Sequence, residues 1–412
     1  MDSAEFIDYL LLSWYINLTD WPTNNWWAGI RNEPADAARF FAWDGEWSFG
    51  LGGSPGRAWV HPDFRANKKT GNSPSARVWH GARQNVDFMT LVADHVYRHL
   101  INTGGALTDN AAKGRWQALN ARVQEAVLAE SARWGDALSP NKPRTVATDW
   151  QHEVDRVDDL MEGNAALLVR PLQEEKFYPN VRPPELSVAN DTVTLTDPNS
   201  GSVAYHTTDA TDPRARGGGV SDTAVQYGEF ISLTNSARVL LRVLKTSIFG
   251  GSEWSAMATT TVTLGLPDIR ISKLMYHPVD PVGDELLVTD NDDDFEFIEL
   301  TNKGRQSIDL AGMRFVDGVS LSFPEGALLE PNDSVVVVRN AIAYQARLGE
   351  SARVLGEYQG SLSNGGERVV LLGRCDETIH EFVFADDWEP SADGGGDALE
   401  IVDIEAPTNA WN

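Results

Sequence analysis

The feature that most constrains the fold is a change of hydrophobic period at three prolines, Pro179, Pro183 and Pro184. Before them, apolar residues recur at the three-to-four-residue spacing of amphipathic helices. After them, apolar and polar residues alternate with period two, with turn residues every eight to twelve positions. Because one element cannot satisfy both periods, and proline does not continue a helix, the sequence predicts a domain boundary near residue 180.

The region before the prolines is predicted to be mainly helical. Apolar spacing indicates helices over 4–18, over 85–101, from residue 108 past Trp134, and over 149–169. Short strands are expected at 26–30 and 39–43. This region also holds 11 of the 14 tryptophans, all before position 151. It is therefore predicted to be an α+β domain with an aromatic core.

The region after the prolines is predicted to form two all-β, immunoglobulin-like sandwiches. Expected strands lie near 186–188, 193–195, 203–205 and 239–243 in the first, and at 269–275, 295–300, 313–315, 334–339, 368–372 and 380–384 in the second. A chain of 412 residues also exceeds the size of a single core. We predict a multidomain protein with domains at 1–180, 181–265 and 266–405 and a polar, frayed tail at 406–412.

The charge balance limits the partners of the protein. The formal net charge is −26, and residues 266–412 hold 29 Asp and Glu against 10 Lys and Arg. Such a charge disfavours nucleic acid as a partner. No stretch has the length and apolarity of a transmembrane segment. The single cysteine, Cys375, excludes an intrachain disulfide and a cysteine-rich zinc site.

Three oxygen-bearing side chains in the first domain have the spacing of a phosphoryl-transfer site. Asp20 is followed five positions later by Asn25, and Asp44 precedes a Phe-Gly pair at 49–50. In such sites one carboxylate positions the attacking hydroxyl, while an amide oxygen and a second carboxylate hold Mg²⁺ on the phosphates. The structural alternatives are that Asp20 caps a turn before Pro22 and that Asp44 lies in a hairpin turn.

Residues 4–180 resemble the C-terminal part of the spore-coat (CotH-like) kinase family. The motifs that carry the resemblance are, in order, FIDYL at 6–10, Thr19-Asp20 to Asn25-Trp26, WDGEWSFG at 43–50, WHGAR at 79–83 and AESARWGD at 129–136. The resemblance implies a kinase-like C-lobe and ATP-dependent phosphorylation of proteins. By position, the resemblance implies that Asp20 is the catalytic-loop aspartate and that Asn25 and Asp44 are Mg²⁺ ligands. It also implies that Glu46 is a second acid beside Asp44.

One part of the kinase pattern is missing from the sequence. A kinase needs a glycine-rich cover and a lysine that grips the phosphates, but the first lysine here is Lys68. We therefore expect a fragment of a longer extracellular or cell-surface bacterial protein, with its export signal and N-lobe upstream of Met1. The alternative is a module that has lost ATP binding.

The histidines and tryptophans of this domain have structural interpretations beside the functional ones. His95 and His99 are four positions apart on a predicted helix and could chelate a metal, but the sequence has no H-E-x-x-H motif. We therefore interpret His80, His95, His99 and His152 as structural or surface residues. Five tryptophans could form a sugar-binding platform, although core packing is the favoured interpretation. They are Trp26, Trp27, Trp43, Trp47 and Trp59.

The two β regions resemble accessory modules. The segment from Tyr205 through Asp209 and Asp212-Pro213 resembles the chitobiase/hexosaminidase C-terminal domain, which is similar to fibronectin type III. We expect Asp209 and Asp212 to fix the turn, in a spacer that could also bind carbohydrate. Residues 268–404 resemble the lamin tail domain through the motifs ISKLMYHP at 271–278, DFEFIEL at 294–300, IDLAGMRF at 308–315, VVVVRN at 335–340 and LSNGGE at 362–367. That resemblance implies interaction or tethering.

An acidic run within the last domain is a candidate Ca²⁺ site. Asp290, Asp292 and Asp294 offer carboxylates at alternate positions, but the glycine and distal glutamate of an EF-hand loop are absent. The alternative is a solvated acidic loop. As a whole, the sequence supports either a secreted kinase that uses Mg²⁺ and ATP on a protein or cell-envelope substrate, or a non-catalytic surface scaffold.

Overall fold

The computed structural model describes residues 1–32, 37–51, 56–68, 70–137, 140–233, 236–247, 251–324, 326–349, 353–406 and 411. Its secondary structure changes where the prolines predict, from helices before residue 175 to strands after residue 184. Among these residues, no helix combines the length and apolarity needed to cross a bilayer.

The described part of the helical region contains six α-helices and one small hairpin, whose second strand packs against α1. Asp2 begins the first helix by accepting a hydrogen bond from the Glu5 amide at 3.0 Å. The core is strongly aromatic, with Trp14, Trp21 and Trp79 each 1% exposed or less. The elements are α1 (Ser3–Tyr15), β1 (Trp26–Gly29), β2 (Arg39–Ala42), α2 (Pro74–Ala82), α3 (Val86–Val96), α4 (Asp109–Trp134), α5 (Gln151–Met161) and α6 (Asn164–Glu174), with π-helical turns at Tyr97–Ile101 and Val146–Trp150.

Two helix predictions were wrong in detail. The single helix expected over 149–169 is two helices, because Gly163 adopts a φ of 70° that an α-helix does not accommodate. The Gly163 amide also donates a hydrogen bond to the Asp109 carboxylate at 2.7 Å, which fixes the position of this glycine. The helix expected over 85–101 ends as a π-helical turn, which widens the backbone around His99.

The first β module is a two-sheet sandwich. One sheet has the order β3-β4-β7, and the other has the order β10-β8-β5-β6 with β9 paired to β8. Val239, Leu241 and Val243 point to one face of β8 and are fully buried, and Arg242 on its other face is buried as well. The strands are β3 (Glu185–Ala189), β4 (Thr192–Thr196), β5 (Ser202–Thr207), β6 (Val225–Gln226), β7 (Ile231–Ser232), β8 (Ala237–Thr246), β9 (Ser252–Trp254) and β10 (Ala258–Val262).

The second β module is a larger sandwich. Its main sheet has the order β18-β17-β12-β11-β21, and a facing sheet has the order β15-β14-β19-β20, with β13 and β16 paired apart. The strands are β11 (Ile269–Met275), β12 (Phe297–Asn302), β13 (Ile308–Asp309), β14 (Arg314–Asp317), β15 (Leu321–Ser322), β16 (Leu328–Leu329), β17 (Ser334–Val338), β18 (Arg353–Glu357), β19 (Arg368–Leu372), β20 (Thr378–Val383) and β21 (Leu399–Glu400).

This module is not all-β, contrary to the prediction. Helix α7 (Ala341–Leu348) connects β17 to β18, and these two strands are parallel. A parallel pair needs a crossover connection, which a helix supplies. Asn340 caps the helix, and Arg347 in its last turn pairs with Glu285 at 2.9 Å and lies over the Phe295 ring at 3.5 Å.

The predicted frayed tail is ordered at one residue. Trp411 is 4% exposed, and its ring stacks on Phe382 with 4.7 Å between centroids. Burial of an aromatic ring of this size stabilises the contact by about 2 kcal/mol. The prediction of a frayed tail was therefore wrong at this position, while residues 407–410 and 412 lie outside the described residues.

Candidate functional site

The β1–β2 hairpin brings Asn25 and Asp44 together. Trp26 pairs with Ala42 in the antiparallel ladder, so Asn25 directly precedes the first strand and Asp44 closely follows the second. The Asn25 side-chain amide donates to the Asp20 carboxylate and also to the main-chain carbonyl of Asp44, at 3.3 Å. All three predicted site residues therefore lie in one cluster.

Two loops are joined around this cluster. The amide and hydroxyl of Thr19 both donate to the Trp47 carbonyl, at 3.1 and 2.9 Å. Asn25 and Asp44 have φ angles of 52° and 55°, in the left-handed region that Asn and Asp enter more readily than most residues. Asn and Asp at these two positions therefore suit the left-handed backbone conformation, and their side chains also offer oxygen atoms to a ligand.

The cluster contains unsatisfied oxygen atoms. Asp20 Oδ1 is buried, and no described residue forms a hydrogen bond with it. Asn25 uses its amide nitrogen in both contacts, and no described residue donates to its amide oxygen. A buried acceptor without a donor is costly, and a divalent cation or a substrate hydroxyl would satisfy it. Asp20 Oδ1 therefore suits a cation or a hydroxyl donor, and Asp44 reaches the cluster through its main-chain carbonyl.

The structure decides whether Asp44 lies in a hairpin turn and shows where Glu46 lies. The β1–β2 hairpin reverses before Arg39, so Asp44 follows the hairpin and the hairpin-turn interpretation was wrong. Glu46 is exposed, and the hydrogen bonds that join Asp20, Asn25 and Asp44 do not include it.

The tryptophans near the cluster mostly face outward. Trp27, Trp43 and Trp47 are 61%, 62% and 49% exposed, so the favoured core interpretation was wrong for them. Trp26 packs partly buried against the helical core. Trp59 is half-buried and contacts the His61 ring at 5.7 Å between centroids. An exposed aromatic surface therefore adjoins the Asp20–Asn25–Asp44 cluster.

A cavity of about 740 Å³ opens beside the residues that follow Asp44. It lies between α4 and α5, and its lining includes Gly45, Trp116, Trp134 and Trp150. The same helices that shape the domain thus leave an apolar recess next to the cluster.

The histidines divide into three kinds. His80 is buried, and its Nε2 lies 2.7 Å from the Asp63 carbonyl, which is a structural role. His152 is a surface residue with its side chain 72% exposed. His95 and His99 instead meet a carboxylate from α1, that of Asp8. A search for a local H-E-x-x-H pattern missed this acid because it lies 87 residues before His95.

Asp209 and Asp212 fix their turn as predicted. Asp209 accepts from the Thr211 amide at 3.0 Å, and Asp212 accepts from the Arg214 amide at 2.9 Å. Asp212 has a second role that the sequence did not indicate. It binds Arg242, which also forms two bonds to Asp94 of α3, at 2.6 and 2.7 Å. A fully buried arginine thus joins the helical domain to the first β module.

The last third of the chain combines a β-sandwich with a recognisable sequence. The family model described as Lamin Tail Domain matches residues 265–385. These residues form a lamin tail domain. The match begins within two residues of the start predicted for this domain and spans strands from both of its main sheets.

Other comparisons add little. No curated protein matches this chain. A solved structure of a DUF4876 family protein from Bacteroides thetaiotaomicron is 12% identical, and the likeness covers 45% of this chain and 64% of that chain. Its TM-score is 0.20, so no argument rests on it. The chain spans less than two thirds of the length of that structure.

The acidic run of the lamin tail domain is ion-paired. Arg339 binds Asp293 at 2.8 Å and Asp294 at 3.4 Å. Among the described residues, the carboxylates of Asp290, Asp292 and Asp294 do not form a group within 4.8 Å of one another. The arrangement favours the acidic-loop interpretation over a Ca²⁺ site.

A buried glutamate lies beneath this loop. Glu296 is 0% exposed, and its Oε2 accepts from the Tyr358 hydroxyl and the Leu362 amide, each at 3.0 Å. Burial raises the pKa of Glu296 to about 8, because the two hydrogen bonds and Arg339 only partly offset the cost of desolvating the carboxylate. At neutral pH the group is therefore mostly protonated.

Proposed function

We propose that the helical domain carries the cation-binding part of a kinase-like phosphotransfer site, displayed beside two β modules that mediate interaction. The observation that carries this proposal is the double contact of Asn25 with the Asp20 carboxylate and the Asp44 main chain. This contact joins the three residues to which the resemblance to the spore-coat kinases assigns a role, and it thereby supports the proposal.

The chemistry of the cluster agrees with this role. Asn25 and Asp44 supply oxygen ligands of the kind that Mg²⁺ binds on nucleotide phosphates. Bound Mg²⁺ would neutralise the charge that develops on a transferred phosphoryl group. Asn25 holds the Asp20 carboxylate through one oxygen, which leaves Oδ1 for the hydroxyl of an acceptor. Asp20 would orient that hydroxyl and receive its proton.

The proposal predicts a cation-dependent activity. In the protein as its natural host produces it, we expect ATP consumption that requires Mg²⁺. Asp44→Ala should lower the rate at least 100-fold, because the phosphates lose a charged ligand. Phosphate release from ATP measures this. Asp155→Ala is the matched control, because Asp155 is an exposed acid of the same domain whose carboxylate accepts a hydrogen bond from Gln151.

The control decides the outcome. Undiminished turnover in Asp44→Ala, or an equal loss in Asp155→Ala, would contradict the assignment of Asp44 to the cation. Absence of Mg²⁺-dependent turnover in the wild type would leave the non-catalytic scaffold as the function.

The lamin tail domain supports the interaction part of the proposal. Its segment carries most of the negative charge, with 29 acidic against 10 basic residues in 266–412. Such a surface attracts a basic partner and repels nucleic acid. We propose a basic protein or cell-envelope component as the partner and an extracellular location, as the resemblance to surface proteins implies. Binding that fails to weaken as salt increases would contradict a charge-driven contact.

A further inference from the structure

Asp8, His95 and His99 form a second cluster within the helical domain, separate from Asp20, Asn25 and Asp44. Asp8 lies on α1, His95 lies in the last turn of α3, and His99 lies in the π-helical turn that follows. His95 Nδ1 lies 2.6 Å from Asp8 Oδ1, and His99 Nε2 lies 3.1 Å from the same oxygen. One ligand atom from each residue lies within 4.8 Å of the other two.

Hydrogen bonding alone does not satisfy this cluster. His95 forms a hydrogen bond with Asp8, but His99 Nε2 is a buried atom that has no hydrogen-bond partner among the described residues. The nitrogen approaches Asp8 closely without the geometry of a bond. An imidazole nitrogen with no donor or acceptor is available as a metal ligand.

The protein holds the three side chains in place before any ligand arrives. His95 is 6% exposed and is fixed by the packing of α3 against α1. An aspartate carboxylate is ordinarily ionised at neutral pH, as coordination requires.

The donor set selects a class of metal. Two imidazole nitrogens and one carboxylate oxygen suit Zn²⁺, Co²⁺ and Ni²⁺, whereas Mg²⁺ and Ca²⁺ prefer oxygen ligands alone. We propose that Asp8, His95 and His99 form a site for a divalent transition metal of the zinc class. Three protein ligands leave a coordination position for water, and the metal ties α1 to α3.

Co²⁺ is the probe that tests this site. The chain is stripped with a chelator and titrated with Co²⁺, and the visible d–d absorption is recorded. We expect saturation at one ion per chain. Zn²⁺ should displace the ion and raise the melting temperature, because it binds the folded state.

Variants separate a metal site from an ion pair. His99→Ala and Asp8→Asn should each weaken Co²⁺ binding at least tenfold, and His95→Ala provides an independent variant if either folds poorly. His152→Ala should bind as the wild type does, since His152 is exposed on α5 beside Glu153. The proposal is overturned if the wild type shows no saturable absorption, or if His152→Ala weakens binding as much as His99→Ala.

Discussion

Replacing Arg242 by Met is expected to lower the free energy of unfolding by about 3–5 kcal/mol. The Arg242 side chain is fully buried and binds Asp94, Asp212 and the Ser255 carbonyl. Methionine fills similar space but leaves two carboxylates with no cation, and an uncompensated buried charge is costly. Urea unfolding of the whole chain, followed at its first transition, measures the change.

Arg238 on the same strand is the matched control. Its side chain is 43% exposed, and it lies 4.0 Å from Asp376. Exposed pairs contribute less than about 1 kcal/mol, so Arg238→Met should change little. Equal losses in the two variants would show that burial of Arg242 at the domain joint has no special role. The double variant Arg242→Met with Asp94→Asn should lose less than the sum of the single losses, since the two residues interact.

The second large effect concerns pH and Glu296. The pKa of this carboxyl is about 8 in the folded protein against 4.5 for the ordinary group. Between those values the folded state keeps a proton that the unfolded state releases, so stability falls as pH rises. The expected slope is up to about 1.4 kcal/mol per pH unit, and above pH 8 the loss is complete. Unfolding free energies measured from pH 5 to pH 8 test it.

Glu296→Gln removes the ionisable group but keeps an oxygen that accepts from Tyr358 and Leu362. We expect this variant to lose most of the pH slope and to exceed the wild type in stability at pH 8. Glu299 lies on β12, three residues after Glu296, and is only partly buried, so Glu299→Gln should keep the slope. A Glu296→Gln variant with the wild-type slope would show that another group titrates.

Local patterns predicted the strands better than the long-range contacts. The strands at Ile269–Met275 and Arg368–Leu372 have the bounds that the sequence predicts, because runs of apolar and β-branched residues mark strands directly. The division of one helix at Gly163 and the insertion of α7 depend on tertiary contacts that single-sequence periodicity does not report.

The site was predictable only in part. Asp20, Asn25 and Asp44 lie within 25 positions of one another, and a short hairpin is enough to join them. The partners Arg242 and Asp94 are 148 positions apart, and His95 and Asp8 are 87 apart. No spacing rule connects such pairs, so only the packing of whole elements reveals them.

The central claim is that Asn25 and Asp44 hold a divalent cation beside the Asp20 carboxylate, and Mn²⁺ binding to this chain tests it most directly. The electron paramagnetic resonance signal of free Mn²⁺ is followed as protein is added, with Zn²⁺ present to fill the Asp8 cluster. We expect one ion per chain, with at least tenfold weaker binding in Asp44→Asn and wild-type binding in Asp155→Asn. Equal binding by the wild type and Asp44→Asn would contradict the claim.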